Sequence, residues 1–79
     1  MNKQVITIYS LPTCSYCKLA KDYLNKHKIS FKEVDVDTDE AAQAEMIKKS
    51  RQYSVPVIDV NGQIIVGFQK NILDSILGF

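Results

Sequence analysis

The two cysteines of this chain, Cys14 and Cys17, stand where a β-branched run ends and a helical pattern begins. Residues 5–9 are almost all β-branched or aromatic, which is typical of a strand buried on both faces. From Cys17 onward, apolar side chains recur at helical spacing. A Cys-x-x-Cys motif that opens a helix places the first thiol at the positive end of the helix dipole and the second one turn behind it. The motif therefore favours folds in which a strand leads through a short loop directly into a helix.

Length and charge narrow the classes of function. Seventy-nine residues, 46% of them hydrophobic and 24% charged, predict one domain, residues 1–79, of ordinary globular composition. The formal net charge of +1 gives no electrostatic reason to expect nucleic acid or an anionic membrane as a partner. No apolar run approaches the roughly 18 residues that span a bilayer, and the first residues do not resemble a signal peptide. We therefore expect a cytoplasmic monomer that binds neither nucleic acid nor membrane.

Helix and strand patterns alternate along the first half of the chain. The first helix is expected to have Thr13 as its N-cap and Cys14 in its first turn. Its predicted inward side chains are Leu19, Ala20, Tyr23 and Leu24. Residues 30–36 predict a second strand, and the acidic residues 37–40 favour the start of a helix that ends near residue 50. The predicted inward side chains of that helix are Ala42, Met46 and Ile47.

The second half of the chain predicts a hairpin and a last helix. The apolar runs 57–60 and 63–66 flank Asn61-Gly62, the strongest short-loop signal for a two-residue hairpin. The last helix has an apolar stripe of Ile72, Leu73, Ile76 and Leu77. The element order is therefore β-α-β-α-β-β-α, with a right-handed crossover that makes the first two strands parallel. The expected fold class is α/β, with a four-stranded mixed sheet flanked by helices.

The placement of the cysteines favours thiol–disulfide chemistry. Free backbone N–H groups and the helix dipole stabilise a thiolate at a helix start, so Cys14 is the expected nucleophile. Lys18 and Lys21 add positive potential nearby. Cys17 lies deeper and would attack the mixed disulfide to release the product.

Other uses of the cysteine pair are less favoured. A zinc site needs about four ligands, and only His27 and scattered carboxylates could join the pair, so we expect no metal site. A pair of buried, inert cysteines is a further alternative, which the helix-start position makes less attractive.

Three segments carry a resemblance to a known family. Residues 9–17, the Ser54-Val55-Pro56 segment before a strand, and Gly67-Phe68 before the last helix resemble the corresponding parts of the glutaredoxins, members of the thioredoxin-fold superfamily. The resemblance spans nearly the whole chain, and Cys-Ser-Tyr-Cys is a close variant of the Cys-Pro-Tyr-Cys typical of that family. It implies a thioredoxin fold and a thiol–disulfide oxidoreductase that reduces protein disulfides, glutathione mixed disulfides, or both, by a dithiol mechanism.

The resemblance also implies a substrate groove beside the cysteines. Pro56 is expected to be a cis-proline facing the pair, so that the backbone of Val55 hydrogen-bonds an extended peptide. The turn at Gly67 and Phe68 would bring the last helix to the groove, where N–H groups bind the γ-glutamyl carboxylate of glutathione. The alternative is a helix start with no ligand. The full set of predicted substrate-binding residues is Thr13, Ser15, Tyr16, Tyr53, Val55, Pro56, Gly67, Phe68, Gln69 and Lys70.

Two departures from the family pattern concern the electron donor. Leu11 stands where many glutathione-using members carry Lys or Arg, and Gln69-Lys70 replaces a pair that often ends in Asp. Glutathione is the expected co-substrate. The alternative is a glutaredoxin-like redoxin that is reduced by thioredoxin reductase. The implied substrates are disulfide-containing proteins, with ribonucleotide reductase as one partner.

A third departure is Ser15, which stands where the family motif has proline. Loss of that proline is associated in the family with a [2Fe–2S] cluster held between two protomers by the first cysteine and glutathione. Because serine keeps its backbone N–H, Ser15 is also expected to donate a hydrogen bond toward the sulfur of Cys14. A [2Fe–2S] cluster carrier is therefore a further alternative.

Overall fold

The computed structural model describes residues 5–78 of the chain. The elements in these residues are β1 (Ile6–Ser10), α1 (Ser15–Lys26), β2 (Lys32–Asp35), α2 (Glu40–Ser50), β3 (Val57–Val60), β4 (Gln63–Val66) and α3 (Lys70–Leu77). The strands form one sheet in the order β2-β1-β3-β4, with β1 parallel to β2 and antiparallel to β3. The predicted α/β fold with a four-stranded mixed sheet is confirmed.

Each face of the sheet packs against its own hydrophobic cluster, because alternate residues of a strand point to opposite faces. The face covered by α1 and α3 carries Ile6, Ile8, Ala20, Tyr23, Leu24, Ile58, Val60, Ile65 and Leu73. The face covered by α2 carries Tyr9, Val36, Ala42, Met46 and Val57. We call these the α1 face and the α2 face. The central strand β1 contributes side chains to both, as its β-branched run predicted.

The hairpin between β3 and β4 has the predicted turn. Asn61 and Gly62 both have positive φ angles, 53° and 93°, which is the backbone that a two-residue turn of this kind requires. The carboxylate of Asp59 accepts the Gly62 N–H at 2.8 Å. The side chain of Asn61 accepts the N–H of Val5 at 2.7 Å, so the same turn also holds the start of β1.

Some predicted boundaries and inward positions are wrong. The second strand covers Lys32–Asp35 rather than residues 30–36, whereas α2, with Asp39 as its N-cap, starts at Glu40 within the predicted acidic segment and ends at Ser50 as predicted. Three side chains predicted to face inward are 36–47% exposed: Leu19, Ile47 and Ile72. A helix buries only one side of its surface against the sheet, so apolar residues at the margin of that side stay in contact with solvent.

Candidate active site

Three loops meet at one end of the sheet, where β1 and β4 end and β3 begins. Val57, at the start of β3, pairs with Tyr9 near the end of β1 and with Val66 at the end of β4. The loop after β1, the loop before β3 and the loop after β4 are therefore neighbours. These loops contain the three segments from which the sequence predicted a site, and the fold brings them together.

Contacts between the loops hold this end of the sheet in place. The N–H of Gly67 donates to the carbonyl of Pro56 at 2.8 Å. Leu11 and Val55 pack against the same cluster on the α2 face. The peptide bond between Val55 and Pro56 is cis, which confirms that expectation.

Cys14 is the N-cap of α1, so the prediction that Thr13 caps the helix is wrong, and the helix begins at Ser15. The N–H of Cys14 donates to the carbonyl of Leu11 at 3.1 Å, and this turn sets which residue reaches the cap position. The sulfur of Cys14 accepts the backbone N–H of Cys17 at 3.1 Å, in the role that an oxygen plays in most caps. The amide that the structure places on this sulfur is thus that of Cys17 rather than that of Ser15.

The two thiols differ in access and in acidity. Cys14 is half-buried, whereas the side chain of Cys17 is 1% exposed, and both are free thiols. Burial raises the pKa of Cys17, and the hydrogen bond of its thiol to Cys14 raises it further. The backbone amide of Leu11 and the charge of Lys21 act in the opposite direction. A disulfide-containing substrate can reach the first sulfur, while the second stays protonated behind it.

The predicted groove residues divide into exposed and buried groups. The side chains of Tyr16 and Tyr53 are 64% and 63% exposed, and the hydroxyl of Tyr53 accepts a hydrogen bond from Gln43. Phe68 instead turns toward the α1 face, where its ring meets that of Tyr23 edge-on with 5.9 Å between centroids. Only the backbone of Phe68 is therefore placed to act in the turn before α3.

A hollow of about 260 Å³ lies beside Cys14. It is lined by the loop after β1 and by two lysines of α1: Leu11, Pro12, Thr13, Cys14, Ser15, Lys18 and Lys21. Thr13 and Ser15, both predicted to bind substrate, are exposed at its margin.

The start of α3 presents backbone N–H groups without a side-chain cap. Gln69 is the N-cap residue, and its side chain donates to the carbonyl of Val66 at 2.8 Å instead of capping the helix. The ammonium group of Lys70 pairs with the carboxylate of Asp74 at 2.7 Å. Gly67 has a φ of 82°, which allows the sharp turn between β4 and the helix. Gln69 and Lys70 are thus at the predicted site, but both side chains have partners within the chain.

Sequence patterns missed a polar cluster that adjoins the loop of Cys14. The ammonium group of Lys21 donates to Glu33 at 2.7 Å, and the buried hydroxyl of Ser10 donates to the same carboxylate oxygen at 3.1 Å. The hydrogen bond from Lys21 lowers the pKa of Glu33, and the bond to Glu33 raises the pKa of Lys21. The register of the parallel pair, with Ile8 opposite Glu33, brings these groups together. No local motif could have indicated that register.

Within residues 5–78, no group of three or more His, Cys, Asp or Glu side chains is arranged to hold a metal ion. His27, the residue considered for zinc, packs edge-on against Tyr23 with 4.7 Å between ring centroids. No helix in this range is both long and apolar enough to cross a bilayer.

Fold and site together define the class of the protein. A helix-start cysteine pair beside a cis-proline loop, on a β2-β1-β3-β4 sheet, belongs to redox proteins of the thioredoxin-like fold. Comparison with known sequences gives the family. The model of the Glutaredoxin family matches residues 6–65, so this chain belongs to the glutaredoxin family.

Individual relatives agree with this assignment. The chain is 45% identical over 73 residues to the glutaredoxin-like 8.6 kDa protein in the rubredoxin operon of Clostridium pasteurianum, covering 92% of this chain and 97% of that protein. Glutaredoxin 3 of Escherichia coli K12 is 40% identical over 62 residues, covering 78% and 75%. The glutaredoxin-like protein NrdH of Lactococcus lactis MG1363 is 30% identical over 70 residues, covering 85% and 92%.

Solved structures give the same result. Methanoredoxin of Methanosarcina acetivorans superposes with a TM-score of 0.89 at 29% identity, covering 98% of this chain and 87% of that one. The chain is a glutaredoxin-like redox protein, and its relatives indicate thiol–disulfide oxidoreductase activity.

Proposed function

We propose that this chain reduces protein disulfides and glutathione mixed disulfides by a dithiol mechanism in which Cys14 attacks and Cys17 resolves. The observation that carries the proposal is the contrast between the two sulfurs. Cys14 lies at the helix N-cap with the N–H of Cys17 directed at its sulfur at 3.1 Å, whereas Cys17 is 1% exposed. An N–H aimed at the reacting sulfur stabilises negative charge there, and burial withholds the second thiol from solvent.

The two steps balance without a metal. The thiolate of Cys14 forms a bond to one sulfur of the substrate disulfide, and the other substrate sulfur leaves and takes up a proton. Cys17 then loses its proton and attacks the sulfur of Cys14, which releases the remaining substrate sulfur as a thiol. The protein ends with a Cys14–Cys17 disulfide, and two electrons have passed to the substrate.

The loop before β3 is proposed to align the substrate. Val55 lies two residues before β3, beyond the last ladder pair of Val57 with Tyr9. An extended cysteinyl peptide would pair with the Val55 backbone as an added strand. Tyr16 and Tyr53 would flank that peptide with their exposed rings.

Glutathione is the electron donor that we propose. Glutaredoxin 3, at 40% identity, supports it, and so does the start of α3, whose first-turn N–H groups lack a side-chain cap and suit the γ-glutamyl carboxylate. Leu11 adds no charge to the groove, and Lys70 is paired with Asp74. These two features, with the similarity to NrdH, favour thioredoxin reductase as the alternative donor.

The remaining proposals concern assembly and partners. We propose that residues 1–79 act as one cytoplasmic domain and as a monomer, with disulfide-containing proteins, ribonucleotide reductase among them, as substrates. A [2Fe–2S] carrier stays the alternative. Because Cys17 is buried, each chain would offer a cluster the one thiol of Cys14, and the other ligands would have to come from glutathione and a second copy.

The electron donor is tested by reconstitution. The purified protein receives a disulfide substrate with either glutathione and glutathione reductase or thioredoxin reductase, and NADPH oxidation is followed. We expect the glutathione system to support the faster turnover. Faster turnover with thioredoxin reductase would replace the donor and leave the dithiol mechanism intact, whereas turnover with neither would refute the proposed function. A brown dimer after anaerobic purification with glutathione would favour the cluster carrier.

Serine variants test the two cysteine roles. Cys14→Ser should abolish all reduction, because the accessible nucleophile is gone. Cys17→Ser should keep the reduction of glutathione mixed disulfides and lose the dithiol reduction of protein disulfides. Residual activity in Cys14→Ser would overturn the assignment of the attacking residue.

A further inference from the structure

A lysine with a fixed position stands one helical turn from the buried thiol. Cys17 and Lys21 are four residues apart on α1 and therefore share a face of the helix. Lys21 is tied to Glu33 of β2 at 2.7 Å, and its side chain is 31% exposed. It also lines the hollow that contains Cys14. The ammonium group is thus tied to β2, on a lysine that lies one helical turn from Cys17 and lines the same hollow as Cys14.

Lys21 stays protonated among the charges around it, and its positive charge favours the thiolate form of Cys17. The titratable groups that line the two hollows or interact with this pair come from α1, the loop before it and β2: Cys14, Lys18, Asp22, Glu33 and Asp35. Burial, the largest effect, raises the pKa of Cys17, whereas a backbone hydrogen bond to Leu11 and, more weakly, the charge of Lys21 lower it. Glu33 offsets part of this charge but also fixes its position, and Ser10 donates to the same carboxylate oxygen.

We propose that Lys21 is a positioning residue for the resolving step. It is held by Glu33, which also accepts a hydrogen bond from Ser10, and its charge stabilises the thiolate that Cys17 becomes when it loses its proton. The inference rests on the proposed dithiol function and adds to it a residue that acts through Cys17. The attacking step uses a sulfur that already accepts an N–H at the helix start. The resolving step starts from a buried thiol at a position inside the helix, where a backbone hydrogen bond to Leu11 and the nearby charge of Lys21 are what favour the thiolate.

The consequence is specific to one chemical step. In that step Cys17 gives up its proton, its sulfur bonds to that of Cys14, and the bond from Cys14 to the substrate sulfur breaks, so that the substrate sulfur leaves with the bonding pair and takes up a proton. Loss of the Lys21 charge should raise the pH at which this step occurs. Because the charge of Lys21 affects the pKa of Cys17 less than burial does and its ion pair is partly exposed, we expect an upward shift of up to about 0.5 pH unit, which corresponds to a roughly threefold slower step at neutral pH.

The experiment separates the two steps with an uncharged disulfide. Reduced protein is mixed with 2,2′-dithiodipyridine, which gives a first equivalent of pyridinethione when Cys14 attacks and a second when Cys17 resolves. Both phases are recorded from mildly acidic to mildly alkaline pH in the wild type and in Lys21→Met, which keeps the aliphatic stem. The pH profile of the second phase should move upward in the variant, and the first phase should change less. Lys21→Arg should restore the wild-type profile.

The controls keep failure of this inference separate from failure of the proposed function. Lys26→Met removes a charge from the last turn of the same helix and should leave the second phase unchanged. Lys21→Gln provides a second neutral variant, and thermal unfolding confirms that each variant is folded. Two phases in the wild type with an unmoved profile in Lys21→Met and Lys21→Gln would overturn the role of Lys21 alone. Release of only one equivalent of pyridinethione per wild-type protein would overturn the resolving role of Cys17 and this inference with it.

Discussion

The two faces of the sheet are built alike but differ in what surrounds their polar groups. On the α1 face, the hydroxyl of Tyr23 donates to Asp74. On the α2 face, the hydroxyl of Tyr9 donates to Glu45 at 2.8 Å. Each face also has a helix lysine that pairs with an acid on a strand, Lys21–Glu33 on one and Lys49–Asp59 on the other.

The difference lies in where each network ends. On the α2 face, Lys49 bonds Asp59, Glu45 and the Tyr9 hydroxyl, so the network closes on itself. On the α1 face, Lys21 borders the hollow that Cys14 lines, and Asp74 belongs to α3 and pairs with Lys70 at the start of that helix, which is the proposed glutathione site. The same kinds of contact therefore stabilise one face and, on the other, are placed to influence the chemistry of the cysteines.

The largest expected effect tests whether the α2 face contributes only stability. Met46 is fully buried in its cluster, so Met46→Ala should lower the free energy of unfolding by about 2–5 kcal/mol. Chemical denaturation measures this loss, and both phases of thiol exchange should stay at wild-type rates while the protein is folded. Ile47→Ala, at a neighbouring 36% exposed position, is the control and should cost much less. Slower exchange in folded Met46→Ala would show that the faces are not independent.

The second effect compares the faces at alkaline pH. Burial, with the hydrogen bond to Asp74, raises the pKa of Tyr23 from 10.0 to about 12. The unfolded state therefore loses this proton first, and the free energy of unfolding, fully present below pH 10.0, should fall by about 2 kcal/mol as the pH approaches 12. Tyr9 contributes with the same sign, because burial raises its pKa as well.

Denaturation curves on either side of this transition measure the effect. In Tyr23→Phe, the free energy of unfolding should fall less at alkaline pH than in the wild type. Tyr9→Phe should also fall less than the wild type. An equal alkaline loss in the wild type and Tyr23→Phe would contradict the assignment of the effect to Tyr23.

A third, smaller effect is the counterpart of the Lys21 experiment. Lys49→Met removes a cation that bonds three partners on the α2 face and should cost about 1 kcal/mol of stability. Because this lysine belongs to the α2 face, the pH profile of the resolving phase should not move. A shift as large as that of Lys21→Met would show that the resolving thiol responds to distant charge in general.

The smallest expected effect concerns the start of α3. Asp74→Asn should weaken the pairing that holds Lys70, whose ammonium group could then meet a carboxylate of glutathione. We expect the KM for glutathione to fall by about twofold, which is the scale of an exposed ion pair. Steady-state kinetics measure this, with Ser75→Ala as an exposed control on the same helix. An unchanged KM would place the bound glutathione away from Lys70.

Prediction from sequence succeeded where the signal was local. The Asn61-Gly62 turn was confirmed because those residue types tolerate the positive φ angles that a two-residue hairpin needs. The predicted N-cap of α1 was wrong by one residue. Thr13 and Cys14 can both cap a helix, and the hydrogen bond from the Cys14 N–H to the Leu11 carbonyl places Cys14 at the cap. Leu19 has the helical spacing of an inward residue but is largely exposed, because spacing does not determine how a helix is rotated about its axis against the sheet.

The amino-acid sequence by itself predicted the order of the elements, the mixed sheet and the pair of cysteines at a helix start, because turn preferences and periodicity act over a few residues. The tertiary structure alone decided that Cys14 accepts the N–H of Cys17 at the cap and that Cys17 is buried. It also decided that Lys21 lies against Glu33, twelve residues away in the sequence. That contact depends on the register of two parallel strands and on the rotation of α1, which only the packing of the whole core determines.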